Sequence, residues 1–517
     1  MDLNILGEKA MNPEIFLPLF LSFIAPLLLI IFLLKKKRNK KLPPGPKKLP
    51  IIGNLHQLGR KLPHRSFQEL SKTYGDLMLL HLGSVPTVIV SSADMSREIF
   101  KSHDLTFSGR PSFYLGKKSA FVSSCTLTLA PYGEYWRQVR KIAVLELLSA
   151  KRVQSFGTIR DGEVDFMIRR VSEHGTSPVN LSSLAFSLSN NVLCRAAFGT
   201  LSPDGHGNGD GGMNKFQHML EEMQQLAAEF NVANVFPWLA WVNKFNGVER
   251  KIDKNFMETH EFFDRVIEQH RDPERPKPDQ EDIIDVLLRI QDDPDQEFKL
   301  QDEHVKGVLG ELFSAGTHTS SSTIEWTMAE LIRNPQIKEK AQREVRKACK
   351  GNVKVEENDL QSLTYLKLVI KESLRLHPPA PLMVPRETTE NCTIDNKYEI
   401  PAKTRVIFNA AAIGTDPKYW ENPEKFYPER FLNRDVDFRG HHFELLPFGA
   451  GRRGCPGINF AVSLVELAIA NLLFSFDWEL PRGMSPRELD MEEAPGIATH
   501  KKIPLCLVAS PPPTDIH

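Results

Sequence analysis

The sequence predicts a mainly α-helical domain with a minor β-sheet, attached to a membrane by one N-terminal span. Three observations predict this fold class: apolar residues recur at helical spacing in long segments, two short apolar runs flank a turn-forming tetrapeptide, and residues 15–34 carry no charge. The chain has 517 residues, of which 41% are hydrophobic, so it is long enough and apolar enough to bury a sizeable core.

The uncharged segment at residues 15–34 has the length of a transmembrane helix. At ~1.5 Å per residue it spans about 30 Å, the thickness of a bilayer core. The basic run KKKRNKK (35–41) follows directly, and a basic flank stays cytoplasmic. We therefore predict a luminal N-terminus (1–14), an anchor (15–34), a basic flank with a proline-rich hinge (35–50) and a cytosolic domain (51–517). A cleaved signal peptide is the alternative, but its positive charge would precede the apolar run.

The cytosolic part begins with a small amount of strand and continues as helix. Four prolines in residues 42–50 predict a semi-rigid spacer that sets how the domain sits on the membrane. The apolar runs 77–82 and 87–90 flank Gly83-Ser84-Val85-Pro86, which predicts a hairpin. Helical spacing then predicts helices over residues 212–230, 253–270, 281–292, 301–331, 335–350 and 359–376.

Charge and cysteine usage exclude several classes of protein. The net charge is +0, whereas a nucleic-acid partner would require a clear basic excess. The six cysteines lie far apart with no C-x-x-C pair, so neither a zinc site nor a disulfide framework is indicated.

One cysteine lies in an unusual setting, the eleven residues PFGAGRRGCPG (447–457). The glycines permit backbone conformations that other residues avoid. Two arginines precede Cys455 and a helix-like sequence follows it, and positive charge and a helix N-terminus both lower a thiol pKa. Cys455 is therefore a candidate metal-binding or nucleophilic sulfur.

A second motif joins charges that are distant in sequence. Glu372 and Arg375 lie three residues apart in a predicted helix, so they share a face. Alone, such a pair is usually solvated and contributes less than about 1 kcal/mol. Arg430, within FYPERF (426–431), would complete a buried charge triad with both of them.

These motifs, in this order, resemble the signatures of the cytochrome P450 family, whose members are haem-thiolate monooxygenases. The resemblance includes the anchor and hinge, Trp136-x-x-x-Arg140 and AGTHTS (315–320), and the style of several motifs is similar to plant microsomal members. It implies the cytochrome P450 fold, haem b as cofactor, and an endoplasmic reticulum membrane location with the haem-binding catalytic domain in the cytosol.

The resemblance also implies individual roles. Cys455 would be the axial thiolate ligand of the haem iron, while Ala315, Gly316 and Thr319 would border the site of oxygen chemistry, with Thr319 donating a hydrogen bond there. The residues expected to contact the haem are Trp136, Arg140, Arg386, Phe448, Arg453 and Gly457. The alternative for Trp136 and Arg140 is an amphipathic surface helix, and the presence of Cys455 disfavours it.

Position 318 departs from the family pattern. Most relatives carry an acid immediately before the threonine, and this chain has His318. Imidazole titrates near neutral pH and can shuttle protons, so we predict a proton relay with an altered donor, for which a bystander role is the alternative.

The pocket and partners follow from the same resemblance. Residues 107–127, 230–245, 380–384 and 494–499 would border the substrate, and their apolar composition predicts a lipophilic, terpenoid- or alkaloid-like plant metabolite. No flavin or nicotinamide fingerprint appears, so electrons should come from a separate NADPH-cytochrome P450 reductase, with cytochrome b5 as a further candidate donor. The candidate residues for docking the reductase are Arg137, Lys141 and Arg452. The alternatives are a haem-thiolate isomerase or dehydratase that needs no reductase, and a haem-binding sensor.

Overall fold

The computed structural model describes residues 41–59, 61–118, 125–199, 210–276, 280–296, 298–481 and 483–512. The predicted luminal segment, the anchor at 15–34 and the basic flank up to residue 40 lie outside the described residues. Helices dominate the described ranges, and strands form only small sheets, so the predicted mainly α-helical domain with a minor β-sheet is confirmed.

The helices are α1 (Pro63–Tyr74), α2 (Ala93–Ser102), α3 (Tyr114–Lys118), α4 (Glu134–Ile142), α5 (Ala150–Ser155), α6 (Gly157–Glu173), α7 (Leu181–Phe198), α8 (Asp210–Ala228), α9 (Val248–Arg271), α10 (Ile283–Asp292), α11 (Asp302–Arg333), α12 (Pro335–Ala348), α13 (Thr364–Leu376), α14 (Ala410–Gly414) and α15 (Ile458–Ser475). The six helices predicted from spacing are all present as α8 to α13. Helix α13 begins later than predicted because residues 359–361 form a separate 3-10 turn.

The strands are β1 (Leu77–Leu82), β2 (Val85–Val90), β3 (Val179–Asn180), β4 (Arg386–Glu387), β5 (Cys392–Ile394), β6 (Tyr398–Ile400), β7 (Arg405–Phe408), β8 (Asp477–Glu479) and β9 (Cys506–Ser510). The largest sheet has the order β1-β2-β7-β4, with β2 and β7 parallel and the other neighbours antiparallel. The predicted hairpin is confirmed, but its turn is shorter than expected because Val85 and Pro86 belong to β2.

Helix α11 is the central element. It packs most extensively against α7 and also against α15. Its N-terminus has a capping box between Gln301 and His304, and two acids in its first turn favour the positive end of the helix dipole. It ends at Arg333, with Asn334 as its C-cap, and Pro335 begins α12. Most of its C-terminal half is buried on every side, so the helix is held by packing, and the part near residue 315 faces a cavity.

Helix α15 follows the cysteine motif and belongs to the main core. Among the described residues, it alone is long and apolar enough to cross a membrane, yet 56% of it is buried inside the protein. Leu464, Ala468 and Leu472 are within the same core cluster as residues of α7 and α11. Its apolar character therefore reflects core packing.

The proline-rich hinge lies against the sheet. The amide of Leu79 in β1 donates to the Pro44 carbonyl at 2.8 Å, and Asn54 Nδ2 donates to the Pro46 carbonyl at 3.3 Å. A Cβ on Gly45 would lie 2.0 Å from the Leu79 carbonyl oxygen, so only glycine permits this approach. Residues 43–47 are thereby fixed relative to the sheet; their predicted role in orienting the domain on the membrane stays a prediction.

Candidate active site

A cavity of about 280 Å³ lies between α11, the loop 447–457 and the start of α15. Apolar side chains such as Val308, Leu312 and Val465 form much of its wall. Further lining residues come from α4, α7, α13 and the segment 379–386. An enclosed, mostly apolar space with a few polar groups is typical of a binding site for a small lipophilic molecule or cofactor.

Cys455 lines this cavity and is the only cysteine among the described lining residues. Its amide donates to the Phe448 carbonyl at 2.9 Å, which closes the loop, and the Gly457 amide points at Sγ at 3.4 Å. Gly449 and Gly451 have φ of 69° and 67°, a region that favours glycine. The loop therefore presents the sulfur to the cavity in a fixed position immediately before α15.

The thiol pKa differs from the sequence expectation. Cys455 is open to the cavity and otherwise enclosed by protein, so burial raises its pKa, against the opposing effects of the Gly457 amide and the Arg140 charge. The expectation of a pKa below the usual range is therefore wrong for the chain alone, because desolvation outweighs the nearby positive charge. A metal ion would supply the missing stabilisation of the thiolate.

One side of α11 lines the cavity, and it carries most of the residues predicted from AGTHTS. Ala315, Gly316 and Thr319 all lie there. The Thr319 hydroxyl donates to the Ala315 carbonyl at 2.7 Å, so its oxygen remains able to accept a hydrogen bond. A Cβ on Gly316 would lie 2.9 Å from a methyl group of Leu193, so glycine at this position also permits close packing of α7.

His318 does not lie with them. It is absent from the cavity lining, and its ring packs edge-on against Phe186 of α7 with centroids 4.9 Å apart. Nε2 is buried and has no hydrogen-bond partner within the part of the chain that the structure describes. Burial, together with a smaller effect of the nearby His500, lowers the pKa of His318 to about 4. The imidazole is therefore neutral near pH 7, and this placement gives no support to the predicted relay.

Four arginines border the cavity: Arg110, Arg140, Arg386 and Arg453. Burial lowers the pKa of Arg386 and of Arg453 to about 10, and burial together with repulsion by these two lowers that of Arg110. Burial also lowers the pKa of Arg140. Of the four, only Arg386 has a carboxylate partner among the described residues, Asp104 at 3.2 Å.

The contacts of these arginines are mostly with backbone carbonyls. Arg453 donates to the carbonyls of Ser108, Leu127 and Ala130, and Arg110 to those of Thr128, Val384 and Pro385. Carbonyls orient a guanidinium but do not neutralise it. The cluster is therefore an incomplete charge set that suits a ligand carrying carboxylates.

Trp136 also borders the cavity, although its polar atom is already used. The indole N–H donates to the Leu127 carbonyl at 2.9 Å, and the Arg453 guanidinium lies 4.4 Å from the ring centroid. Trp136 therefore helps to hold Arg453 in place through a cation–π contact. Phe448 and Gly457 line the cavity as predicted.

The predicted charge triad is assembled away from the cavity. Arg375 donates to Glu372 through Nε and Nη2 at 2.7 Å and 2.8 Å, and Arg430 Nε donates to the same carboxylate at 2.9 Å. The Tyr427 amide adds a fourth donor at 2.9 Å. The Glu372 and Arg375 side chains have no exposed surface, so the triad joins α13 to the segment 421–430.

Among the lining residues that the sequence predictions did not name, two are charged. Arg110 lies within the predicted pocket segment 107–127, where a charge among mostly apolar residues was the available signal. Glu311 lies four residues before Ala315, a spacing that places both on one helix face. Among the described residues, segments 107–127 and 380–384 contribute to the lining, whereas 230–245 and 494–499 contribute none. Residues 119–124 of the first segment lie outside the described residues.

Comparison with known proteins decides the family. The sequence model of cytochrome P450 matches residues 43–507. The chain belongs to the cytochrome P450 family. It is 60% identical over 472 residues to strychnine-11-hydroxylase of Strychnos nux-vomica, covering 91% of this chain and 92% of the relative. Costunolide synthase of Cichorium intybus is 45% identical over 470 residues, with 91% and 93% covered. A zebra fish cytochrome P450 structure with progesterone has a TM-score of 0.74 at 23% identity, covering 87% of this chain and 100% of that one, and shows the shared fold.

This P450 is a monooxygenase with haem as its cofactor, held by a cysteine thiolate, as membership of the family implies. The residues present fit that group. Cys455 is a cavity-lining sulfur on a fixed loop, and the cavity arginines that have no carboxylate partner among the described residues, Arg110, Arg140 and Arg453, match the two carboxylates of haem b. Plant relatives that act on specialised metabolites place the chain in the same broad functional class.

Proposed function

We propose that this P450 oxidises a small lipophilic plant metabolite, terpenoid- or alkaloid-like, with dioxygen and with electrons from a separate NADPH-cytochrome P450 reductase. The observation that carries the proposal is the cavity itself, in which the Cys455 sulfur and the Ala315–Thr319 stretch of α11 line one space with apolar walls. The relatives named as a strychnine hydroxylase and a costunolide synthase support the substrate class.

Within this site, Cys455 would ligate the haem iron, and the bound haem supplies dioxygen activation. The Gly457 amide donates towards the sulfur and moderates its basicity. Arg110, Arg140, Arg386 and Arg453 would hold the haem carboxylates and exclude water from that side.

Thr319 is placed to hold a proton near the reacting atoms. Its hydroxyl lines the cavity and donates to the Ala315 carbonyl, so a rotation of the hydroxyl would redirect that proton into the cavity. His318 lies outside the lining and has a low pKa, so any part it takes in proton delivery would have to be indirect.

Three cations near the cysteine loop are available for a reductase. Arg137, Lys141 and Arg452 are exposed, and Arg452 Nη1 donates to the Tyr132 hydroxyl at 3.1 Å. Arg137 is ion-paired with Glu134 of its own helix turn. A basic surface beside the haem-binding loop would attract an acidic electron donor by charge complementarity.

A membrane-facing surface is supported independently of the predicted anchor. Phe230, Trp238, Trp241 and Phe245 are 69%, 61%, 57% and 82% exposed. Ser84, in the β1–β2 turn, donates its amide to the Val235 carbonyl, and Gly53 bridges to Leu82, so segments 49–53 and 230–245 adjoin one hairpin. Exposed aromatic residues beside a hinge suit a lipid surface. Protein lacking residues 1–40 should still float with phospholipid vesicles, and failure to float would refute this surface.

The decisive experiment combines a spectrum with a turnover assay on the full-length protein in membranes. Reduced, carbon-monoxide-treated protein should show the red-shifted Soret band of thiolate-ligated haem. Cys455→Ser should lose that band while Cys506→Ser, a change at an exposed cysteine in β9, should keep it. Terpenoid and alkaloid libraries are then screened for products.

Product formation should require both NADPH and the reductase. Turnover without either would indicate the isomerase or dehydratase alternative, and ligand binding without any turnover would indicate a sensor. A Cys455→Ser protein that keeps the red-shifted band would overturn the ligand assignment.

A further inference from the structure

Glu311 is the one acid among the described residues that line the cavity. It lies on α11 one helical turn before Ala315, so it faces the substrate side of the same helix surface. Its Oε2 is buried and has no hydrogen-bond partner in the described part of the chain. No ion pair joins Glu311 to any described cation within 4.0 Å. A buried acid with a free oxygen is a costly arrangement unless something pairs with it.

The arginines around the cavity do not supply that partner. Arg110 and Arg453 are the two cations whose charges lower the pKa of Glu311. Each of them already donates three hydrogen bonds to backbone carbonyls. Haem carboxylates would form ion pairs with these arginines, and Glu311 would still have no cationic partner. The negative charge of the haem carboxylates would also repel an ionised Glu311, so a cation bound at Glu311 would stabilise the site more strongly when haem is present.

The electrostatic surroundings agree with this. Burial raises the pKa of Glu311 to about 7, while the backbone amides of Leu127 and Thr128 and the charges of Arg110 and Arg453 act in the other direction. The other titratable groups that interact with Glu311 are Tyr135, Arg140 and Cys455. A positive group against the carboxylate would keep it ionised at neutral pH.

We propose that Glu311 is the cation-binding group of the substrate cavity, and that the substrate is a lipophilic base bound through its protonated amine. The apolar wall, including Val308 and Leu312 on the same helix, would enclose the hydrocarbon skeleton. A protonated nitrogen held by Glu311 has no free electron pair, so it cannot ligate the haem iron and inhibit the enzyme. The proposal deepens the proposed function and rests on it, because it selects basic alkaloid-like compounds from the broader lipophilic class.

The test measures binding and does not depend on turnover. Equilibrium dialysis of the haem-loaded, full-length protein at about pH 8 compares N-benzyl-4-phenylpiperidine, a protonated tertiary amine, with N-benzoyl-4-phenylpiperidine, a neutral amide of the same skeleton. The wild-type protein should bind the amine at least about tenfold more tightly, and Glu311→Gln should abolish the preference. Glu311→Asp keeps the charge and should retain part of it.

Glu325→Gln is the matched control. Glu325 is a buried acid on the same helix, but it accepts hydrogen bonds from Ser182 and the Lys501 amide and is absent from the cavity lining. This variant should keep the preference. Equal affinity of wild-type protein for the two probes, no binding of the amine, an unchanged preference in Glu311→Gln, or a nitrogen-ligated iron spectrum with the amine would each overturn the proposal.

The two proposals fail separately. Loss of the preference in a protein that retains the thiolate spectrum and reductase-dependent turnover would refute only the role of Glu311. An amine preference in a protein that shows no reductase-dependent turnover would refute the proposed reductase-dependent oxidation and leave the cation-binding site standing.

Discussion

The buried charge triad and the buried and half-buried arginines of the cavity differ in whether the chain supplies every partner. Glu372 accepts four hydrogen bonds, from Arg375 twice, from Arg430 and from the Tyr427 amide. The guanidinium of Arg140, by contrast, makes no hydrogen bond or ion pair with any described side chain or carbonyl, although it borders the cavity. A buried charge that the chain leaves without a counter-ion indicates a ligand, whereas a completed set indicates a structural connection.

Breaking the completed set should have the largest effect. Arg375→Met leaves the carboxylate of Glu372 buried with half of its hydrogen bonds removed, and uncompensated buried charges cost about 3–5 kcal/mol. We expect a loss of that size in the free energy of unfolding, measured by urea denaturation of the haem-free and haem-loaded protein alike.

Arg343→Met is the control for this change. Arg343 pairs with Glu339 at the surface, where the side chains are 71% and 69% exposed, so its removal should cost less than about 1 kcal/mol. If the two variants lost equal stability, the triad would not be the structural connection described here.

Removing one of the cavity arginines should have the opposite pattern, with little loss of stability in the haem-free protein and weaker retention of haem. Arg140→Met removes a half-buried cation whose guanidinium has no described partner, so the haem-free protein should lose less than about 0.5 kcal/mol or gain stability. Haem retention should weaken, because a charge-assisted contact to a haem carboxylate is lost. We expect haem transfer to an apoprotein acceptor to become roughly tenfold faster, which corresponds to ~1.4 kcal/mol. Unchanged transfer together with lower stability of the haem-free chain would reverse the assignment.

The same contrast explains what the sequence could and could not predict. The cysteine loop and the triad are local motifs in which residue types at fixed spacing carry the geometry, and the sequence places them correctly. The lining of the cavity depends on how α11 is rotated against α7, and spacing alone does not reveal that. His318 lies next to Thr319 in sequence, yet the rotation of α11 directs His318 to Phe186 and Thr319 to the cavity. The free oxygen of Glu311 depends likewise on which groups the folded chain leaves unpaired.

The smallest effect concerns His318 and depends on pH. Its pKa is about 4 in the folded chain because of burial, against a usual value of 6.5, so the folded state binds fewer protons than the unfolded state between these values. The associated stability is complete above about pH 6.5 and is lost as the pH falls towards 4. Between about pH 7 and about pH 5.5 this amounts to ~1 kcal/mol.

His318→Leu should remove that part of the acid dependence, because leucine carries no proton and fills the space beside Phe186 with apolar atoms. The measurement is the difference in unfolding free energy between the two pH values, with the exposed His441→Leu as the control. The ratio of product formed to NADPH consumed should vary equally little over about pH 6.5–8 in wild-type and His318→Leu protein, since the imidazole is neutral throughout that range. A step near neutral pH that only the wild-type protein shows would restore the imidazole as a proton donor.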